Sequence, residues 1–345
     1  MKTRRSQQEW LVADIGGTNA RFALADPRTR QLSAELTLST ASAWSLVDLT
    51  NEYLALVGAG PVDAACFACA GPISGDRCSL TNADLDFSIE QTKTALGLST
   101  LLVVNDFAAA ARSIAELGSE HLIQVGDVRP QPGRGAVAIG PGTGLGVATI
   151  FPDGTGWRVL PGEGGHVALS CLHDDELEVV RALRKRWGYA SAEMVLSGPG
   201  LTRLYETVVD ISGMPPVPEI DVQPDLIVER ALSRTDETSA VTLSMFCELL
   251  ATVAANVALT TGATGGVFLA GGIVKRFPGF LATSGFRERF TWHPHASNYL
   301  EQIATVIVSA PEPGLMGALH LLADHQDSRG EATSRRQPTV SAGVR

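Results

Sequence analysis

The stretch LVADIGGTNARFALAD, Leu11 to Asp26, decides how the chain is read. It is two apolar-patterned runs joined by Gly16-Gly17-Thr18, the second opening on an alternation of Asn19 and Arg21 with Ala20 and Phe22. Such a pattern predicts two strands and a tight turn, a β-hairpin. What an ordinary hairpin does not explain is Asp14, a carboxylate near the end of an otherwise apolar strand. Glycine leaves backbone N–H groups bare enough to approach an anion, and its freedom at positive φ permits a curled nest of amides that holds phosphate oxygens. A carboxylate beside such a nest is a natural partner for Mg²⁺. Gly16, Gly17, Thr18 and Asn19 are therefore candidate phosphate-binding residues, and Asp14 a candidate metal ligand.

A second stretch echoes the first. Val137 to Thr149 reads VAIGPGTGLGVAT, with Ile139 where the first copy has Asp14, and with β-branched and aromatic residues continuing from Val147 to Phe151. Gly142, Thr143 and Gly144 are the matching turn residues. Neither turn is a Walker A loop, since no Gly-Lys-Ser/Thr follows, and neither opens a helix as a dinucleotide fingerprint requires. A repeated strand–turn–strand unit predicts two domains on a related core. A third glycine pair, Gly271-Gly272 in FLAGGIVKRF, follows another strand-like run and precedes a helix. Paired glycines there let a purine ring lie against the backbone, or simply let strand and helix pack closely.

Apolar runs such as DAACFACA, LLVVND, GVFLAGG and TVIVSA alternate with helical patterns over Asp106–Leu117, Leu177–Trp187 and Ala240–Thr260. This predicts the α/β class. At 345 residues and 45% hydrophobic content the chain is long enough for two domains. Its net charge of -10 repels nucleic acid and anionic membrane, so neither is an expected partner. The most apolar stretch, near Leu249 to Leu259, is broken by Thr252 and Asn256 and reads as too short to span a bilayer. MKTRRSQQEW leads into a strand rather than an apolar signal core. Five scattered cysteines suit a reducing compartment, and the location expected is cytoplasmic. Cys66 and Cys69, three apart on a strand, should face opposite sides of a sheet as core thiols. Residues 1–8 and 325–345 are polar and expected to be disordered tails.

Three segments carry candidate chemistry. In LLVVNDFAAAARSI a strand ends in Asn105-Asp106 before an alanine-rich helix, the place where open α/β sheets present ligand-binding groups. Asp106 suits a general base that accepts a hydroxyl proton during phosphoryl transfer, and it equally suits an N-cap. LPGEGGHVAL brings Glu163 and His166 from one glycine-rich loop, a pairing suited to vicinal sugar hydroxyls. SAEMVLSGPGL places Glu193 after Ser191, where it also suits a first-turn carboxylate facing a helix dipole.

Together DIGGTNAR, NDF, GPGTGLGVA, LPGEGGH, SAEMVLSGPGL and FLAGGIVKRF resemble the bacterial glucokinase family, within the hexokinase and actin-like ATPase superfamily, over nearly the whole chain from Trp10 to about Ala323. The resemblance is to members lacking the cysteine-rich zinc motif of ROK relatives. It implies a two-lobed, ribonuclease H-like α/β fold around a cleft. It divides the chain into a small domain at 9–116, a large domain at 117–310 and a C-terminal helix at 311–324 returning to the first. It implies ATP-dependent phosphorylation of D-glucose to glucose 6-phosphate with Mg²⁺, in a homodimer. Asp106 would be the general base, and Asn105, Glu163, His166 and Glu193 the sugar ligands. Gly16, Gly17, Thr18, Asn19, Gly142, Thr143 and Gly144 would bind phosphates, with Gly271 and Gly272 at the adenosine and Asp14 near the metal. Competing expectations are another hexose such as fructose, mannose or an amino sugar, a non-enzymatic sugar sensor, and a glycoside hydrolase built on two of the carboxylates.

Overall fold

The computed structural model describes residues 9–41, 44–80, 85–154, 156–213 and 222–335; the expected tail at 1–8 and the last part of the C-terminal one, 336–345, lie outside the described residues. The chain forms two compact units. One comprises the chain up to Ser113 and again from Glu312, the other Ile114–Pro311.

The first unit opens with the hairpin read from the sequence: β1 (Glu9–Ile15) and β2 (Asn19–Ala25) pair antiparallel, with Asp14 opposite Arg21. Then follow β3 (Leu32–Ser39), helix α1 (Leu46–Leu56) and β4 (Val62–Cys69). A small three-stranded sheet, β5 (Ile73–Ser74), β6 (Arg77–Ser79) and β7 (Asp86–Ser88), precedes α2 (Ile89–Ala95), β8 (Thr100–Asn105) and α3 (Asp106–Ser113). The main sheet runs β3-β2-β1-β4-β8, with β1, β4 and β8 parallel.

Because side chains alternate along a strand, β1 and β4 feed two cores at once. Leu11, Ala13, Ile15, Phe67 and Cys69 lie with Leu46, Leu49 and Tyr53 of α1. Val12, Ala64, Cys66 and Ala68 lie on the other face. Cys66 and Cys69 are thus buried on opposite faces, as their spacing predicts, and burial pushes the Cys66 thiol up.

The second unit contains β9 (Leu122–Val125), the second glycine hairpin β10 (Ala136–Pro141) and β11 (Leu145–Asp153), and β12 (Gly156–Gly162). Helices α4 (Asp174–Trp187), α5 (Gly198–Ser212), α6 (Pro224–Ser233) and α7 (Glu237–Thr261) follow, then β13 (Gly266–Leu269), α8 (Pro278–Thr283), α9 (Phe286–Thr291), α10 (Ser297–Leu300) and β14 (Thr305–Val308). The sheet order is β12-β11-β10-β13-β14-β9, and β10, β13 and β14 are parallel. The echo between the two glycine motifs is therefore an echo of topology. In each unit an antiparallel trio begins with a hairpin whose first strand pairs in parallel with one later strand, which in turn pairs in parallel with another.

Two expectations are corrected here. Helix α7 is 25 residues long and, by length and composition alone, apolar enough to cross a membrane. Thr252 and Asn256 do not interrupt it, because each hydroxyl or amide finds a partner: Thr252 Oγ1 donates to the Glu248 carbonyl and Asn256 Nδ2 to Ser170 Oγ. The helix spends its apolar surface inside the unit, where Leu243, Phe246, Leu249, Leu250 and Val253 are core residues. The second correction concerns the C-terminus. Helix α11 runs Pro313–Arg335, so 325–335 continues the helix instead of beginning a tail. Leu315, Ala318, Leu319 and Leu322 cover the alanine-rich face of the first sheet. Small residues there let the helix approach closely: a Cβ on Gly317 would lie 1.6 Å from the Ala109 carbonyl oxygen of α3.

Candidate active site

In the first unit, three predicted residues come from the ends of β1 and β8, the two strands that flank β4. Asp14 is the penultimate residue of β1; Asn105 closes β8 and Asp106 opens α3. The Asn105 amide oxygen accepts from Phe107 N at 3.0 Å and Ala108 N at 3.1 Å, so Asn105 caps the helix. Capping therefore does not require Asp106, whose carboxylate accepts from Phe107 N at 2.8 Å. Burial holds the Asp106 carboxyl above the usual carboxylate range, against the lowering effect of that amide. Among the described residues no cation forms an ion pair with it.

Asp14 feels this neighbour. Burial pushes its carboxyl up, the negative charge of Asp106 adds to the rise, Arg21 pulls down and Glu312 pushes up again, leaving it at about 6. Arg21 stands opposite Asp14 in the hairpin register and pairs with Glu312 at 3.4 Å. Sequence reading missed both. The Arg21 signal was present in the register of the first hairpin, whereas Glu312 arrives from the far end of the chain with nothing local to mark it. Gly314, in the first turn of α11, was missed too; a Cβ there would lie 2.5 Å from Asp14 Oδ2.

The turn itself is closed by Gly16 N donating to the Asn19 carbonyl at 2.9 Å, and Thr18 is exposed. Neither Gly16 nor Gly17 has a positive φ, and neither do Gly142, Gly144, Gly271 and Gly272. The curled-nest argument for the two glycine turns is corrected: where these glycines are required, they are required for space.

In the second unit the turn Gly142-Thr143-Gly144 is tied at both ends. Gly198 N, at the start of α5, donates to the Gly142 carbonyl at 2.7 Å, and Leu145 N donates to Glu193 Oε2 at 2.9 Å. Glu193 sits in a short 3₁₀ turn, Ala192–Met194, whose N-cap Ser191 makes no side-chain capping bond. Its carboxylate serves the neighbouring hairpin, not its own helix turn. Glu163 and His166 bracket another 3₁₀ turn, Gly164–His166. His166 lies between the two acids, Nε2 3.8 Å from Glu163 Oε2 and Nδ1 3.9 Å from Glu193 Oε1.

The glycines between them seat this loop directly on β11. A Cβ on Gly164 would meet Val147 at 2.8 Å, and one on Gly165 the Leu145 carbonyl at 2.3 Å. Glu163, His166, Glu193 and the second glycine turn thus form one cluster. The third glycine pair divides its two readings: Gly271 backs onto Pro141, whose carbonyl oxygen a Cβ would approach to 2.2 Å, while Gly272 has open space. Gly271 is a packing glycine. Gly272 is the one with room for a ligand.

Two glycine hairpins on duplicated sheets, each leading into parallel strands, are the architecture of the actin-like ATPase fold. The solved glucokinase from an Antarctic psychrotroph has the same fold, with TM-score 0.83 and 34% identity, covering 92% of this chain and 99% of that one. A glucokinase from Balamuthia mandrillaris, 22% identical, shares the fold with TM-score 0.77 over 93% of this chain and 95% of its own. Residues 11–325 match the Glucokinase family model, and a glucokinase of Chromobacterium violaceum is 40% identical over 333 residues, 96% of this chain and 94% of that protein. This chain belongs to the glucokinase family.

Proposed function

We propose that the protein transfers the terminal phosphoryl group of ATP to the 6-hydroxyl of D-glucose, acting in the cytoplasm as a homodimer. Asp106 accepts the hydroxyl proton as the oxygen attacks. The observation that carries this reading is the state of Asp106: a half-buried carboxylate, raised above the usual range, with the helix cap delegated to Asn105 and no cation pairing with it among the described residues. A raised carboxylate holds a proton more firmly than free aspartate and is a correspondingly better base. Glu163, His166 and Glu193, joined by Asn105, orient the ring hydroxyls, a task suited to groups with fixed acceptor positions. The two glycine turns hold the phosphates through main-chain amides, with Gly272 leaving room for the base.

Mg²⁺ fits the donor set, since it takes hard oxygen ligands and needs only one or two protein carboxylates alongside phosphate and water. Asp14 would hold it, with Asp106 and Glu312 deepening the negative field around that carboxylate. The ion, when bound, neutralises charge on the phosphates.

The test is a coupled assay for ADP release across glucose, fructose, mannose and glucosamine, run on the wild type and on Asp106→Asn. Glucose should be the preferred hexose. The variant should keep its glucose affinity while kcat falls by roughly 10² or more, because the amide keeps the shape of the carboxylate and loses its basicity. Undiminished turnover removes Asp106 as the base; equal efficiency on several hexoses removes the glucose assignment.

A further inference from the structure

We infer that Glu193 is the mechanical link between the sugar loop and the second glycine turn, and that Gly144 is a positioning residue which keeps that link in place. The inference rests on reading Glu193 as a sugar ligand and Gly142-Thr143-Gly144 as a phosphate turn.

A carboxylate has two oxygens, and here they face different tasks. Oε2 accepts the Leu145 amide, the first residue beyond the turn. Oε1 points toward the sugar loop, 3.9 Å from His166 Nδ1. The backbone around Glu193 grips the other end of the same turn. Ser197 Oγ donates to the Glu193 carbonyl at 2.9 Å, accepts from Gly200 N at 2.9 Å as the cap of α5, and is followed at once by Gly198, whose amide holds the Gly142 carbonyl. The segment from Glu193 to Gly198 therefore clasps the turn on both sides. The sugar loop leans on the same strand, with Gly165 against the Leu145 carbonyl.

Gly144 is where a side chain would displace the Glu193 carboxylate. Its φ is not in the left-handed region, so alanine there would meet no backbone strain. Its Cβ would instead stand 2.5 Å from Glu193 Oε2. Glycine at this position holds the space that the carboxylate occupies. A sugar hydroxyl drawing on one oxygen and an amide drawing on the other must then share one side chain, so each occupant changes the geometry offered to the other. Coupling of this kind is reciprocal: whatever factor nucleotide imposes on glucose affinity, glucose imposes on nucleotide affinity.

The experiment is titration calorimetry of the full chain with glucose, first with no nucleotide present. Gly144→Ala should raise the glucose Kd about tenfold or more, the effect of displacing a charged hydrogen-bonding group, although the substitution lies in the phosphate turn. Gly279→Ala, outside the site and with a Cβ that would meet nothing within 4 Å, should leave the nucleotide-free glucose Kd unchanged. In a second arm, glucose is titrated with and without a non-hydrolysable ATP analogue. The ratio of the two Kd values should depart from one in the wild type and collapse toward one in Glu193→Gln, which retains a single acceptor oxygen. Should Gly144→Ala misfold, as judged by its circular dichroism, this second arm decides alone. A glucose Kd unmoved in folded Gly144→Ala, or a ratio preserved in Glu193→Gln, overturns the link. A glucose Kd unmoved in Glu193→Ala overturns instead the underlying reading of Glu193 as a sugar ligand.

Discussion

Replacing Asp14 with asparagine should stabilise the protein above neutral pH while leaving it almost unchanged below the ordinary aspartate pKa of 3.8. In the folded chain the Asp14 carboxyl sits at about 6 against 3.8 for a free aspartate. Roughly two units correspond to about 3 kcal/mol at 1.36 kcal/mol per unit. The direction follows from proton linkage. The native state holds this proton more tightly than the unfolded chain, so between pH 3.8 and about 6 the unfolded state carries fewer protons and stability falls as pH rises. Below that window Asp14 is neutral in both states and the penalty vanishes; above it the whole penalty is present. Asparagine resembles the neutral acid in shape and never ionises. Urea unfolding of Asp14→Asn and wild type, in chelator so that no metal enters, should therefore show matched midpoints at about pH 3 and a gain for the variant of about 3 kcal/mol at pH 8. A variant less stable at pH 8, or a difference that does not change with pH, would refute the argument that Asp14 is an ionised group held against its preference. The same variant should be catalytically impaired, which is the trade expected where a site stores unfavourable charge.

Two further outcomes test the packing that supports the site. Arg289→Met should cost about 3–5 kcal/mol in urea unfolding, because it leaves the buried Glu176 carboxylate with only the Leu172 and His173 amides. A loss under about 1 kcal/mol would mean that water reaches that acid. Gly317→Val should lower the thermal transition by several degrees, since any Cβ there meets the Ala109 carbonyl and must push α11 off α3. An unchanged transition would show that the two helices have slack between them.

Much of the fold is legible before any coordinates, for a local reason. Strand alternation, glycine turns and helix caps are relations between residues a few positions apart, so the hairpins at Asp14 and Pro141, the Cys66/Cys69 alternation and the helix after Asp106 can be read in one pass. The echo between the two glycine motifs likewise announces the duplicated sheets. What misled was local reasoning applied to non-local questions. The apolar stretch near Leu249 to Leu259 looked broken because Thr252 and Asn256 are polar, yet their partners, Glu248, Arg289 and Ser170, satisfy them within helix α7 and beyond it.

The sequence by itself determined which residues are candidates for chemistry and which strand ends or loops bear them: Asp14, Asn105, Asp106, Glu163, His166 and Glu193 all sit at turns or element boundaries. Only the tertiary structure decided what state those groups are in and why the glycines beside them are glycines. Asp14 is raised because burial strips its carboxyl of water and Asp106 and Glu312 are folded against it, and Gly144 is bare because Glu193 fills the space beside it. Desolvation, charge repulsion and steric exclusion act through distance in space, and distances between residues far apart in the chain do not exist until it folds.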